Sequence, residues 1–210
     1  MEKTYIDASR RGRPPRTEDQ LEASRNSIIQ AARDLFAIHG YEGVSMRKIA
    51  VKANCLPSTL YLLFPSKNEL LHKILEVIYK DLNIQLEQCY RSSYEPDRLQ
   101  NLCLILLEFW LDRPGDCKAI FLIEDNHFES KEDSYLNKLE IFQLNIYNQT
   151  IIEAQLRGEI KDGDPEEIKN ILLFTIFGIA LSLISISKYH FKNEKKIREK
   201  IVKSLINGIK

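Results

Sequence analysis

Apolar residues recur along this chain at helical rather than strand spacing. Ile28, Ile29, Ala32, Leu35 and Phe36 fall at i, i+1, i+4, i+7 and i+8, one stripe of an amphipathic helix running from Glu18 to just before Gly40. Gly40 lies where a helix end makes use of a residue without a Cβ. Ser45 precedes Met46 to Ala53, and its hydroxyl suits the capping of a first-turn amide. Asn54 follows, a residue that accepts a left-handed cap. Pro57 suits the first position of a third helix, which continues from Ser58 to about Leu63. Ser66-x-x-Glu69 matches a capping box opening a fourth helix, with Leu70, Leu71, Ile74, Leu75 and Ile78 as its buried stripe.

The remainder is also helical. Leu99, Leu102, Cys103, Leu106, Phe109 and Trp110 form a stripe that Pro114-Gly115 stops, and a short helix is expected from Asp116 to about Glu124. Tyr135, Leu139, Phe142, Ile146 and Ile152 mark a long helix ending near Gly158. Asp164 and Pro165 cap and open another, reaching about His190, and Lys195 to about Gly208 closes the chain. No alternating pattern of useful length appears. The fold class is all-α, with about nine helices.

Composition narrows the picture only in part. The chain has 210 residues, 44% hydrophobic and 29% charged, the mix of an ordinary globular protein. Thirty basic and thirty acidic residues cancel. Met1 to Lys80 nevertheless holds 13 basic against 9 acidic residues, while the rest of the chain is acidic by the same margin. A basic front on an acidic body suggests that the front meets a polyanion. Cys55, Cys89, Cys103 and Cys117 stand singly, without the spacing of a zinc site or disulfide framework, so no metal is expected. No secretory signal pattern opens the chain, and a reduced, cytoplasmic protein is expected. Ile171 to Ser187 is uncharged but short for a membrane span and dotted with Thr and Ser; a buried or interface helix is the expectation.

Two short helices joined by a tight connection and braced by longer ones make a helix-turn-helix, about residues 45–64, whose second helix is presented to the DNA major groove. Ile49, Ala50 and Leu60 are its inward residues. The segments IIQAARDLFAIHGYEGVSMRKIA, STLYLLF and PSKNELL follow in the order and spacing of the TetR family of transcriptional regulators, whose DNA-binding domain residues 25–79 resemble. Asn54 and Leu56 depart from the Gly and polar cap usual in that turn. Leu62 and Leu63 stand where a polar or aromatic residue is frequent.

The resemblance implies roles for particular residues. Ser45, Met46 and Arg47 open the first short helix, with Arg47 reaching phosphate or a guanine edge, or remaining solvated. Pro57, Ser58 and Thr59 form the groove-facing start of the recognition helix. Tyr61 touches backbone phosphate or else packs on Phe36. Lys67, with the first amides of the fourth helix, holds another phosphate. Residues 1–17 read as a flexible basic arm. Its Arg11-Gly12-Arg13-Pro14 has the order of a minor-groove hook, the other reading being a solvated tail.

By the same resemblance, residues 18–82 form the DNA-binding domain and 83–210 a ligand-binding and dimerisation domain. Gly178, Ser182 and Ser185 on one helix, with Ile197, Ile201 and Leu205 on the last, suit a four-helix interface between two copies. Phe109, Trp110, Phe121, Phe142 and Tyr147 are candidate pocket residues, Glu124, Asp125 or His127 supplying polarity. An acidic lining favours a lipophilic cation; without it an acyl chain or other neutral hydrophobe fits. No cofactor and no catalytic motif is expected. The implied function is a homodimeric regulator, most simply a repressor released from a palindromic operator on double-stranded DNA by a small hydrophobic or cationic ligand. A thiol-based sensor on the same fold and a helical adaptor that does not bind DNA are the alternatives.

Overall fold

The computed structural model describes residues 17–121, 145–186 and 193–210, with backbone alone at 119–121. Among them are nine α-helices and no strand: α1 (Glu18–His39), α2 (Met46–Lys52), α3 (Pro57–Leu63), α4 (Lys67–Ser92), α5 (Arg98–Leu111), α6 (Pro114–Phe121), α7 (Asn145–Leu156), α8 (Pro165–Ser185) and α9 (Glu194–Gly208). A 3₁₀ turn, Glu95–Asp97, leads into α5. The all-α expectation holds.

Local chemistry sets the helix ends. Thr17 and Gln20 cap α1 reciprocally, and Gly40 closes it at φ 68°. Ser66 Oγ accepts the Glu69 amide at 3.1 Å, one half of the predicted box. Asp164 accepts the Glu166 amide at 3.0 Å, with Pro165 opening α8.

One continuous core joins the helices. Ile28, Ala32 and Phe36 of α1 meet Ile49, Leu60, Leu70 and Leu71; the cluster then runs along α4 through Ile78, Leu82 and Leu86. It continues into α5 at Leu102 and Trp110, α7 at Ile151 and α8 at Leu172 and Ile176. α4 crosses residues 82 and 83 without a break. Its far end is tied to the body by a polar knot: Tyr90 donates to Glu153 Oε1 at 2.8 Å, and Arg98 to Oε2 at 2.9 Å. Burial pushes the Glu153 carboxyl up, but hydrogen bonds from Tyr90, Gln149 and Arg98, with the Arg98 charge, outweigh it and hold the pKa below the ordinary value.

Two boundaries and one inward face differ from expectation. Pro114 opens α6 instead of only ending the helix before it, because Pro is as suitable at a first helical position as beyond a last one. α8 ends at Ser185, and the expected extension to His190 falls outside the described residues, as does the helix start near Tyr135. Ile152 points outward: the inward residues of α7 are Tyr147, Ile151 and Ala154, spaced four and three, whereas the step from Ile146 to Ile152 does not fit a helical period.

α6 crosses α1 closely. A Cβ added at Gly115 would stand 2.8 Å from Ala37 Cβ. Beside this crossing Arg33 makes a two-pronged bond to Asp116, its Nε 3.1 Å from Oδ1. Gly115→Ala is expected to lower stability by about 1–3 kcal/mol, the usual cost of overpacking. Urea unfolding measures it, and an unchanged midpoint would mean that the crossing yields freely.

Candidate nucleic-acid interface

The unit at residues 45–64 is built from very short helices, so the turn between them must be held from outside. Ala53 and Asn54 close α2 through bonds to Ile49 O and Val51 O, and the Cys55 amide reaches Ala50 O at 3.0 Å. Asn54 adopts φ 52°, the left-handed position in which Asn substitutes for Gly. Ser27 Oγ on α1 donates to Ala53 O at 3.4 Å. Ala50, nearly without exposure, lets the two helices approach. Ile49, Ala50 and Leu60 face the core; Arg47, Lys48, Val51 and Lys52 on α2, and Pro57, Ser58, Tyr61 and Leu62 on α3, face out.

The predicted contact residues divide. Arg47, Pro57 and Ser58 are exposed and Thr59 is half-buried. Arg47 makes no ion pair among the described residues, unlike Lys52 beside Asp34 at 3.7 Å. Tyr61 is 49% exposed, so it does not pack on Phe36, whose ring instead meets Tyr41 at 5.4 Å. Ser45 is exposed, and its hydroxyl caps the Lys48 amide at 3.3 Å. Met46 is a correction: its side chain is buried, because the inward face of α2 needs it beside Ile49 and Ala50. Lys67 has a second task. Its ammonium donates to Tyr41 O at 3.0 Å and Val44 O at 3.3 Å and sits 3.9 Å from the Tyr41 ring centroid, which pins the α1–α2 loop. Arg11 and Arg13 lie outside the described residues. Lys48 and Lys52 were missed as members of the outward face, although their spacing around Arg47 and Val51 gives it away.

In the body, Phe109, Trp110 and Tyr147 are buried. Trp110 meets the rings of Tyr79, Phe109 and Phe177 edge-on, and Tyr147 donates to Leu102 O at 2.9 Å. These contacts make the three aromatics parts of the core. The side chain of Phe121, together with Glu124, Asp125, His127 and Phe142, lies outside what is described. Gly178, Ser182 and Ser185 are exposed on α8 beside Ile171 and Phe174. On α9 the inward residues are Val202 and Ile206, leaving Ile197, Ile201 and Leu205 half-buried at the margin. Arg198 of α9 donates to Glu108 of α5 at 2.7 Å. α8 is long and apolar enough to cross a membrane by length and composition, yet Leu172, Leu173, Ile176 and Ala180 pack into the core.

Burial pushes the Cys103 thiol up to about 12 and the Cys117 thiol up to about 11. A thiol held above its unfolded value supports the fold below about pH 9, and that support is lost as pH climbs toward those values.

An exposed second helix set beside basic residues of the first, on a rigid helical base, defines a helix-turn-helix DNA-binding protein. Residues 28–74 match the family described as bacterial regulatory proteins, tetR family. Over 151 residues, 69% of this chain and 71% of the relative, the sequence is 25% identical to the HTH-type transcriptional repressor SCO4008 of Streptomyces coelicolor. The fold is similar to a TetR family transcription regulator from Marinobacter aquaeolei, with TM-score 0.75, 17% identity and coverage of 92% and 98% of the two chains. It is also similar to the regulator FadR from Bacillus subtilis in complex with stearoyl-CoA, with TM-score 0.74, 20% identity and coverage of 88% and 99%. Residues 28–74 therefore carry a DNA-binding domain of the tetR type, and the whole chain resembles transcriptional regulators of that family in sequence and fold.

Two outcomes are expected. Lys67→Met lowers unfolding stability by about 1–3 kcal/mol, because two loop carbonyls lose a charged donor; unchanged stability would make the lysine a surface residue only. At pH 8 a thiol reagent spares Cys103 and Cys117 in the folded protein and modifies them on unfolding. Rapid labelling of the native state would revive the thiol-sensor alternative.

Proposed function

We propose that the chain is a homodimeric repressor that reads a palindromic operator through α2 and α3 and is released from it by a small hydrophobic ligand. The observation that carries the reading is what the helix-turn-helix leaves exposed: Ser58 and Tyr61 on α3, and Arg47, Lys48 and Lys52 on α2. In this reading, residues 18–82 bind DNA and 83–210 bind ligand and partner. Arg47 and Tyr61 meet phosphate, Pro57, Ser58 and Thr59 meet base edges, and the ammonium of Lys67 offers its remaining N–H to a phosphate.

Dimerisation joins α8 and α9 of two copies. Phe174 is 75% exposed, and with Ile171, Gly178, Ser182 and Ser185 it offers one continuous face to a two-fold partner. Two recognition helices about one DNA turn apart then read the two halves of a palindrome. For the ligand, the Bacillus subtilis relative's stearoyl-CoA favours an acyl chain over a lipophilic cation. Ligand entering the body shifts α4 and α6. Arg33–Asp116 and the Gly115 crossing pass that shift to α1, changing the spacing of the reading heads; the coupling is the ligand's differential affinity for the two arrangements.

Selection on random duplex DNA should recover a palindrome whose affinity falls steeply with salt as phosphate contacts displace counterions. Arg47→Ala should weaken all sequences alike, whereas Ser58→Ala should change which are preferred. Identical behaviour of the two variants would refute these roles. Phe174→Glu should sediment as a folded monomer and lose operator binding. A dimer that survives the charge would move the interface elsewhere.

A further inference from the structure

The sequence of α3, PSTLYLL, contains no Arg, Lys, Asn, Gln, Asp or Glu. Two-pronged readout of guanine needs Arg or Lys, of adenine Asn or Gln, while cytosine is read by a carboxylate. The helix can make none of these contacts. Besides the hydroxyls of Ser58 and Tyr61, what it presents is apolar. Leu62 is 76% exposed, and it lies four residues after Ser58 on the same outward face. Leu56, at the position preceding the helix, is 63% exposed and its side chain caps nothing. Neither leucine belongs to the core, which takes Leu60 and Phe64 from the same segment. Isolated exposed leucines are ordinary. These two lie on either side of Ser58 in the recognition helix, in the same helix-turn-helix that exposes Arg47, Lys48 and Lys52 on α2.

In the major groove a single base offers a matching apolar group, thymine with its C5-methyl. We propose that Leu56 and Leu62 are specificity-determining residues that seat thymine methyl groups, so that each operator half-site is defined by thymines at the positions they reach. The proposal rests on the DNA-binding reading above. The surrounding cations supply the sequence-independent attraction to phosphate, and the leucines add a preference for thymine to the base contacts of Ser58 and Thr59.

The test uses the full-length protein and the duplex it selects. Each thymine of the half-site is replaced in turn by deoxyuridine, which removes only the methyl, and affinity is followed by fluorescence anisotropy. Replacement at one or two positions per half-site should weaken wild-type binding about fourfold, and about fifteenfold when made in both halves. Leu62→Ala should abolish the penalty at one position and Leu56→Ala at another, while penalties elsewhere stay as they were. Both changes are on the surface, and circular dichroism checks that the helices persist. Tight, salt-dependent binding indifferent to uracil everywhere would overturn the leucine assignment and leave the DNA reading standing. Penalties that persist in both alanine variants would do the same. A folded protein that selects no duplex at all would overturn both.

Discussion

Arg33 and Asp116 are separated by 83 residues and joined by a two-pronged ion pair, and much of the architecture depends on that join. The pair is part-buried, and removing Arg33 would leave the Asp116 carboxylate, itself in the buried class, without its partner. It sits beside the tightest helix crossing described, where Gly115 lets α6 lie against Ala37 of α1. α1 in turn carries the reading head, through Ser27 at its turn and Ile28, Ala32 and Phe36 in its core. The base of the head and the body are therefore one packed object. Interiors at this density switch between discrete arrangements more readily than they deform.

The other end of the lever is equally fixed. α4, 26 residues long, leaves the head at Lys67 and reaches the Tyr90–Glu153–Arg98 knot near its far end. Between them it contributes an unbroken buried stripe. The head is thus held by two members, a long helix along its edge and a short one across its back.

Much of this was legible in the sequence where the determining chemistry is local. The caps at Ser45, Asn54, Pro57 and Ser66 mark α2, α3 and α4 almost to the residue, since a helix end is decided within one turn. The resemblance to the family rests on the same compact stretch. Met46 stands three and four residues before the inward Ile49 and Ala50, so helical spacing placed it in the core, and only the role implied by the resemblance pointed it outward. What else escaped is set by contacts between distant parts. The bond from Arg198 to Glu108 spans 90 residues and has no local signature. In α7 the isoleucine at 152 looked as apolar as its neighbour at 151, and the side of the helix on which Tyr147 and Ala154 pack decided which was buried. The candidate pocket aromatics were readable as buried, but a core wall and a cavity wall are written with the same residues.

Lys67 carries a consequence for how such a sequence can drift. Its compact ammonium has three tetrahedral donors, two of them engaged by the carbonyls of Tyr41 and Val44 above an aromatic ring. Arginine carries the same charge and is the commoner partner of phosphate, but its planar fork is longer and its donors lie in one plane. It cannot converge on two carbonyls and a ring in this space. At a site that selection for charge alone would leave open to either basic residue, the geometry of the α1–α2 loop admits only lysine.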